Sequence, residues 1–201
     1  MKTMLIAVSL VTALHLSPAQ ELLPRKEALK YAFFLGQELS VLQNTPIPTD
    51  VDLKHVVAMR HGEYGALILP EAKLTAESIK NAGETVLPLG QLWLHRLTPI
   101  QNGEPVEGGK LREVWIDAGD ESSNGIQCVL GVKKSSSGGL DLLVYGKGKE
   151  PVAKVPLQTT SGQSQVPVQM NAEHGTDNAG RIILKFLGQF QASIPVTRLD
   201  P

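Results

Sequence analysis

The chain reads as an α+β protein that is mostly β, with a short N-terminal helix-plus-strands region followed by an antiparallel β-sandwich. Three observations carry this. One segment of helical period, residues 27–43, stands near the start. Short apolar runs that alternate with polar residues recur from residue 51 onward. Separators rich in Gly, Ser, Asn and Asp divide those runs at the spacing of hairpin turns.

Residues 1–19 have the layout of a secretory signal peptide. Lys2 gives a positive start, and Met4 to Leu16 is apolar or small except at Ser9, Thr12 and His15. Ser17 and Ala19 place small residues at the −3 and −1 positions, so cleavage is expected after Ala19. The apolar run is too short for a stable bilayer anchor, and no Cys beside the cut marks a lipid anchor. A buried N-terminal helix is the alternative, although a core helix rarely lacks a polar face. The expected organisation is a signal peptide over 1–19, an α+β region over 20–100 and a sandwich-like region over 101–201.

Within the α+β region, Pro24 sits where an opening helix tolerates proline. Ala28, Ala32, Leu35, Leu39 and Leu42 then form one helical stripe, which Asn44, Pro46 and Pro48 end. Phe33 and Phe34 widen the stripe, so the helix should dock on a sheet. Val51 to Arg60 alternates as a strand, with His55, Val57 and Met59 on one face. Ala66 to Leu69 is a second run, and Gly62 to Gly65 supply the turn between them. Thr75 can cap a two-turn helix, Ala76 to Ala82, ended by Gly83. Gln91 to Leu97 reads as another strand.

After residue 101 no helical period appears. Asn102-Gly103 signals a hairpin turn. Strands are expected at 111–117, 126–133, 140–145, 152–157, 166–170, 181–187 and 190–196, with a two-residue turn at Gly188-Gln189. Pro195 suggests that the last strand is an edge. Short strands with turn signals at such intervals suggest a sandwich of Ig-like or related type.

Cleavage would remove one charged residue, Lys2, and take the balance from 19 basic to 18 against 20 acidic. Without a basic cluster there is no electrostatic footprint for nucleic acid. No apolar run of about eighteen residues remains to span a membrane after cleavage. Cys128 is the sole cysteine, which excludes an intramolecular disulfide. It lies in phase with Ile126, Leu130 and Val132, as a buried structural thiol does.

Arg60-His61-Gly62-Glu63 resembles the RHG(E) motif of the histidine phosphatase superfamily, the phosphoglycerate mutase type. The resemblance implies His61 as a nucleophile delivered by a strand and Arg60 as a phosphate ligand. It also implies His174-Gly175 as a second histidine motif and Arg96 as a further phosphate ligand. The chemistry needs a neutral imidazole to attack phosphorus and a guanidinium to hold the anionic oxygens. The family has an α/β sheet flanked by helices, whereas residues after 101 read as β. Tyr64 to Leu69 reads as a returning strand rather than a loop leading to a helix, and no apolar strand precedes His174. The residues alone therefore read as a strand end and a turn.

Asp117, Asp120 and Glu121, with the neighbouring serines and Asn124, could wrap a hard cation such as calcium, but the spacing is not that of an EF-hand. His55, His61, His95 and His174 are dispersed without metal-ligand spacing, although His55 and His61 share strand parity. Trp93 and Trp115 read as core residues, and Asp141 and Asp177 as lone carboxylates. No phosphate-cradling Gly loop, G-x-S-x-G, H-E-x-x-H or C-x-x-C is present, so no cofactor is implied. The expectation is an exported, non-catalytic binding or interaction module acting on a protein partner or extracellular ligand. The alternative is a phosphohydrolase using His61 and Arg60.

Overall fold

The computed structural model describes residues 21–41, 45–117, 122–175 and 178–199, so the expected signal peptide and its cleavage point lie outside the described residues. The elements follow in order as β1 (Glu21–Leu22), α1 (Arg25–Val41), β2 (Val57–His61), β3 (Tyr64–Pro70), α2 (Ala76–Lys80), β4 (Leu87–His95), β5 (Leu97–Gln101) and β6 (Glu104–Pro105). Then come β7 (Arg112–Asp117), β8 (Ser122–Lys134), β9 (Leu140–Tyr145), β10 (Pro151–Thr159), β11 (Val168–His174), β12 (Ala179–Phe186) and β13 (Phe190–Arg198). The described chain is mostly β, and none of its helices is long and apolar enough to cross a membrane.

The thirteen described strands make one antiparallel sheet in the order β1-β2-β3-β4-β8-β9-β10-β13-β12-β11, with β5 on β13, β6 on β5 and β7 on β8. The sheet curls into a half-barrel, and β11 comes round to β2 and β3 without pairing to them. Strands from before and after residue 101 are neighbours in it, since β4 pairs β8 from Leu87↔Val132 to His95↔Gly125.

Period-two alternation sorts the side chains. Met59, Ile68, Leu92, Leu94, Cys128, Leu130, Leu142, Leu184, Phe186 and Ile194 are among those that turn into the curl and form the main core. Ala58, Leu67, Leu69 and Trp93 turn outward and are covered by Ala28, Ala32 and Leu35 of α1. A third patch, Val129, Leu143 and Tyr145, lies under Ile47 and Val86. Strands buried on both faces read as continuous apolar runs, which is why 66–69 carries no polar residue. Each such Leu or Ile removed from water contributes about 1.5–3 kcal/mol.

Several expectations are corrected. The segment 51–60 is not one strand. Leu53–His55 is a single 3₁₀ turn, because the Asp52 side chain accepts from Lys54 N at 2.9 Å and meets His55 Nδ1 at 2.5 Å. Burial opposes ionisation of Asp52, but these hydrogen bonds and the His55 charge outweigh it and hold the carboxyl below its ordinary range. His55 thus leaves the face it was expected to share with His61. In α1, Phe33 does not widen the buried stripe. It is 59% exposed, with its ring edge-on to Phe34. Thr75 does cap α2 through a reciprocal box with Ser78, but the helix stops at Lys80 with Asn81 as its cap, before Gly83. β13 is not an edge. β12 flanks it throughout, β10 pairs it at Gln191 and β5 from Val196, and Pro195 falls between those last two contacts.

The C-terminal hairpin turns one residue earlier than expected. Phe186 O accepts from Gln189 N at 3.0 Å, and the two central residues, Leu187 (φ 52°) and Gly188 (φ 71°), are both left-handed. That is the backbone of a type I′ turn, which matches the twist of its strands. A Cβ at Gly188 would stand 2.7 Å from Gln163 C and Ser164 N, inside contact distance. Gly188→Val should therefore cost about 1–3 kcal/mol, the scale of a strained backbone residue. Urea unfolding checks it, and a wild-type midpoint would contradict the turn assignment.

Cys128 is fully buried, as its phase predicts, and burial pushes its thiol from 9.0 up to about 12. The stabilisation from keeping the proton is complete below pH 9 and is lost as pH rises toward about 12, because only the unfolded thiol ionises in that window. A disulfide reagent at pH 8 should leave Cys128 unmodified in native protein and titrate one thiol in denaturant. Rapid native labelling would contradict the burial.

Candidate functional site

Four apolar columns on the inner face of the curl end in polar residues at one mouth. On β2, Val57 and Met59 lead to His61. On β3, Ile68 and Ala66 lead to Tyr64. On β11, Met170 and Ala172 lead to His174. On β13, Ile194 and Val196 lead to Arg198. The backbone brings these ends together. A two-residue turn with Gly62 at φ 60° sets Tyr64 directly across from His61. The β11–β12 ladder closes at His174↔Gly180, and the β13–β5 pairing ends at Arg198↔Leu97.

The result is a cleft of about 80 Å³. The rings of His61 and His174 lie 5.9 Å apart, tilted by 32°. The Arg198 guanidinium stacks on Tyr64, 4.7 Å above the ring centroid, and its Nη1 donates to Asn178 Oδ1 at 3.2 Å. Asn178 takes φ 63°, a conformation Asn tolerates better than most residues, and its carbonyl accepts from Thr197 Oγ1 at 3.3 Å and Arg198 N at 3.3 Å. Arg198 is thus held from two sides. Among the described residues, three arginines, Arg60, Arg181 and Arg198, and one carboxylate, Glu173, line the cleft. His61 Nδ1 is buried and has no hydrogen-bond partner among the described residues. A buried polar atom left so costs about 1–3 kcal/mol.

The residues singled out by the phosphatase resemblance are only partly assembled. His61 and His174 meet. Arg60 projects from the opposite face of β2, where its Nη2 lies 3.4 Å from Glu21 Oε2, so it touches the cleft only at the rim. Arg96, in a left-handed conformation between β4 and β5, is paired with Glu63. Gly62 and Glu63 turn directly into the returning strand β3, as the flanking residues suggested.

His55 stays with Asp52, and His95 Nδ1 lies 3.4 Å from Asn124 O, so neither joins the cleft. Among the described residues no three His, Cys, Asp or Glu side chains are placed to hold a metal ion. Asp117 ends β7, while Asp120, Glu121 and Asp177 lie outside the described residues. Asp141 has a partner that the sequence did not reveal, Lys154 Nζ at 3.5 Å across β9–β10. Trp93 is buried, but Trp115 is 59% exposed, because Val114 is the β7 residue that packs into the cluster under α1.

Tyr64 and Arg198 were not singled out from the sequence. The signal that marks them is positional: each is the polar residue that closes a period-two apolar column. With the geometry established, comparison adds no relative, since no protein-family model, no curated protein and no solved structure matches the chain.

Proposed function

We propose that the protein is an exported, non-catalytic binding module that receives an anionic group of an extracellular ligand or protein partner in the histidine cleft. The observation that carries this reading is the unpartnered, buried Nδ1 of His61, set beside His174 and the anchored guanidinium of Arg198. An oxyanion accepts hydrogen bonds from imidazole N–H and guanidinium groups together, which strengthens each bond. The volume suits one carboxylate, sulfate or phosphate group rather than a whole metabolite. The sheet supports a sandwich-like interpretation, Ig-like or related. Its β5–β13–β12–β11 part pairs with β10 at Gln158↔Gln191 and Thr159↔Phe190, and Lys154 N of β10 also donates to Gln101 Oε1 of β5 at 2.9 Å. Such folds present loops and hairpin tips to partners, an analogy at the level of fold.

The approach of His61 to His174 is what favours a phosphohydrolase as the second reading. Against it, the guanidinium groups of Arg60 and Arg96 are occupied by Glu21 and Glu63, and in-line transfer needs them on the phosphate.

Calorimetric titration with inorganic phosphate and with sulfate tests the binding. Wild type should bind saturably, weaken with added chloride, and lose about tenfold or more in affinity in His61→Ala and in Arg198→Ala. Equal affinity in the variants contradicts the site. Hydrolysis of an aryl phosphate that disappears in His61→Ala, with the fold intact, replaces the binding reading by the catalytic one. Export has its own measurement: the protein recovered from its native compartment should begin at Gln20 by N-terminal mass analysis, and retention of Met1 would refute cleavage.

A further inference from the structure

The outer face of the same strands carries a second cavity, which shares Met59, Arg60, Tyr64, Gly65 and Ala66 with the histidine cleft at the rim. Beneath α1, three outward positions are held by residues with little or no side chain: Ala58 on β2, Gly65 on β3 and Gly125 on β8. These leave an open space of about 510 Å³ between the sheet and the Leu35 side of the helix. Trp93 forms one wall. Its side chain is 3% exposed, yet Nε1 is buried and has no hydrogen-bond partner among the described residues. An indole N–H can only donate, and a buried donor is normally satisfied by protein, water or ligand.

We propose that this cavity binds a small, mostly apolar molecule, one to two aromatic rings in size, whose hydrogen-bond acceptor meets Trp93 Nε1. The volume lies within the range of small-molecule sites, about 300–1,000 Å³. At the rim, Arg60 and Glu63 are already paired with Glu21 and Arg96, so the site selects by apolar surface and one acceptor rather than by charge. The space is also accessible to design. A Cβ built on Gly65 meets His95 Cβ and Met59 O at 3.6 Å, ordinary contact, so a larger residue there enters the cavity without backbone conflict.

The test uses 8-anilinonaphthalene-1-sulfonate, which has two ring systems and a sulfonate acceptor, with Trp115→Phe protein so that Trp93 is the sole tryptophan. Saturable binding at one equivalent is expected, with energy transfer from Trp93 to the probe. Gly65→Leu should abolish binding, and Trp93→Phe, read from probe emission in the otherwise native chain, should weaken it roughly three- to tenfold, the worth of one hydrogen bond. Non-saturable binding, absence of transfer, or unchanged affinity in either folded variant overturns the proposal. Displacement of the probe by inorganic phosphate also overturns it, because that would place the probe in the histidine cleft. If Gly65→Leu does not fold, the affinity of Trp93→Phe together with the phosphate competition decides. The histidine cleft can fail its own titration without affecting this result.

Discussion

The pairing of β4 with β8 is the constraint on which the rest depends. It runs from Leu87↔Val132 to His95↔Gly125, and its strands are buried on both faces over much of that length. A shift of one residue would exchange Leu92 and Leu94, which fill the curl, with Gln91 and Trp93, which lie outside it. The register is further pinned by the bulge between Pro88 and Gly90, where φ is 131° and a Cβ would stand 2.1 Å from Leu69 O. Only glycine fits there, and it draws β3 tightly onto β4. The bond from Gln127 Nε2 to Gln91 Oε1 at 2.8 Å, continued from Gln91 Nε2 to Thr49 Oγ1 at 2.7 Å, ties the outer face to the same alignment.

Both candidate sites inherit their geometry from that alignment. β2 and β3 extend outward from β4, so their inner ends deliver His61 and Tyr64 to the mouth while their outer positions floor the space under α1. One pair of strands thus serves two environments, with alternation deciding which residue meets which. Arg60 and His61 illustrate the separation: adjacent in sequence, they project from opposite faces, and the motif they spell does not act as a unit in space.

Local pattern was enough to place most strands, because period two and turn chemistry are written in neighbouring residues. β9 has the bounds its alternation predicts, and the Asn102-Gly103 turn is present with φ values of 55° and 86°. What could not be read depends on contacts or on competing local bonds. Asp52 diverts 53–55 into a 3₁₀ turn through its own side chain, an option that alternation alone does not show. The interior position of β13 depends on β5 and β10, which are remote in sequence. For the site, His61 and His174 were visible as residue types, but their meeting follows from the curl of the sheet. Tyr64 and Arg198 carry no motif at all. The burial of Trp93 follows from its place in an apolar strand, while the lack of a partner for its indole N–H depends on the surrounding backbone.

The β5–β13 ladder sets Pro99 against Val196 and Leu97 against Arg198, joining strands from the middle and the end of the chain. Contacts of such separation are slow to form, because a long loop must close before the pairing returns any free energy. A ribosome releasing this chain would have presented β2, β3, β4 and β8 well before β13 existed. The histidine cleft therefore matures late. Until the last strand docks, His61 and Tyr64 stand at the mouth without Arg198, whose guanidinium stacks on Tyr64 only in the finished sheet.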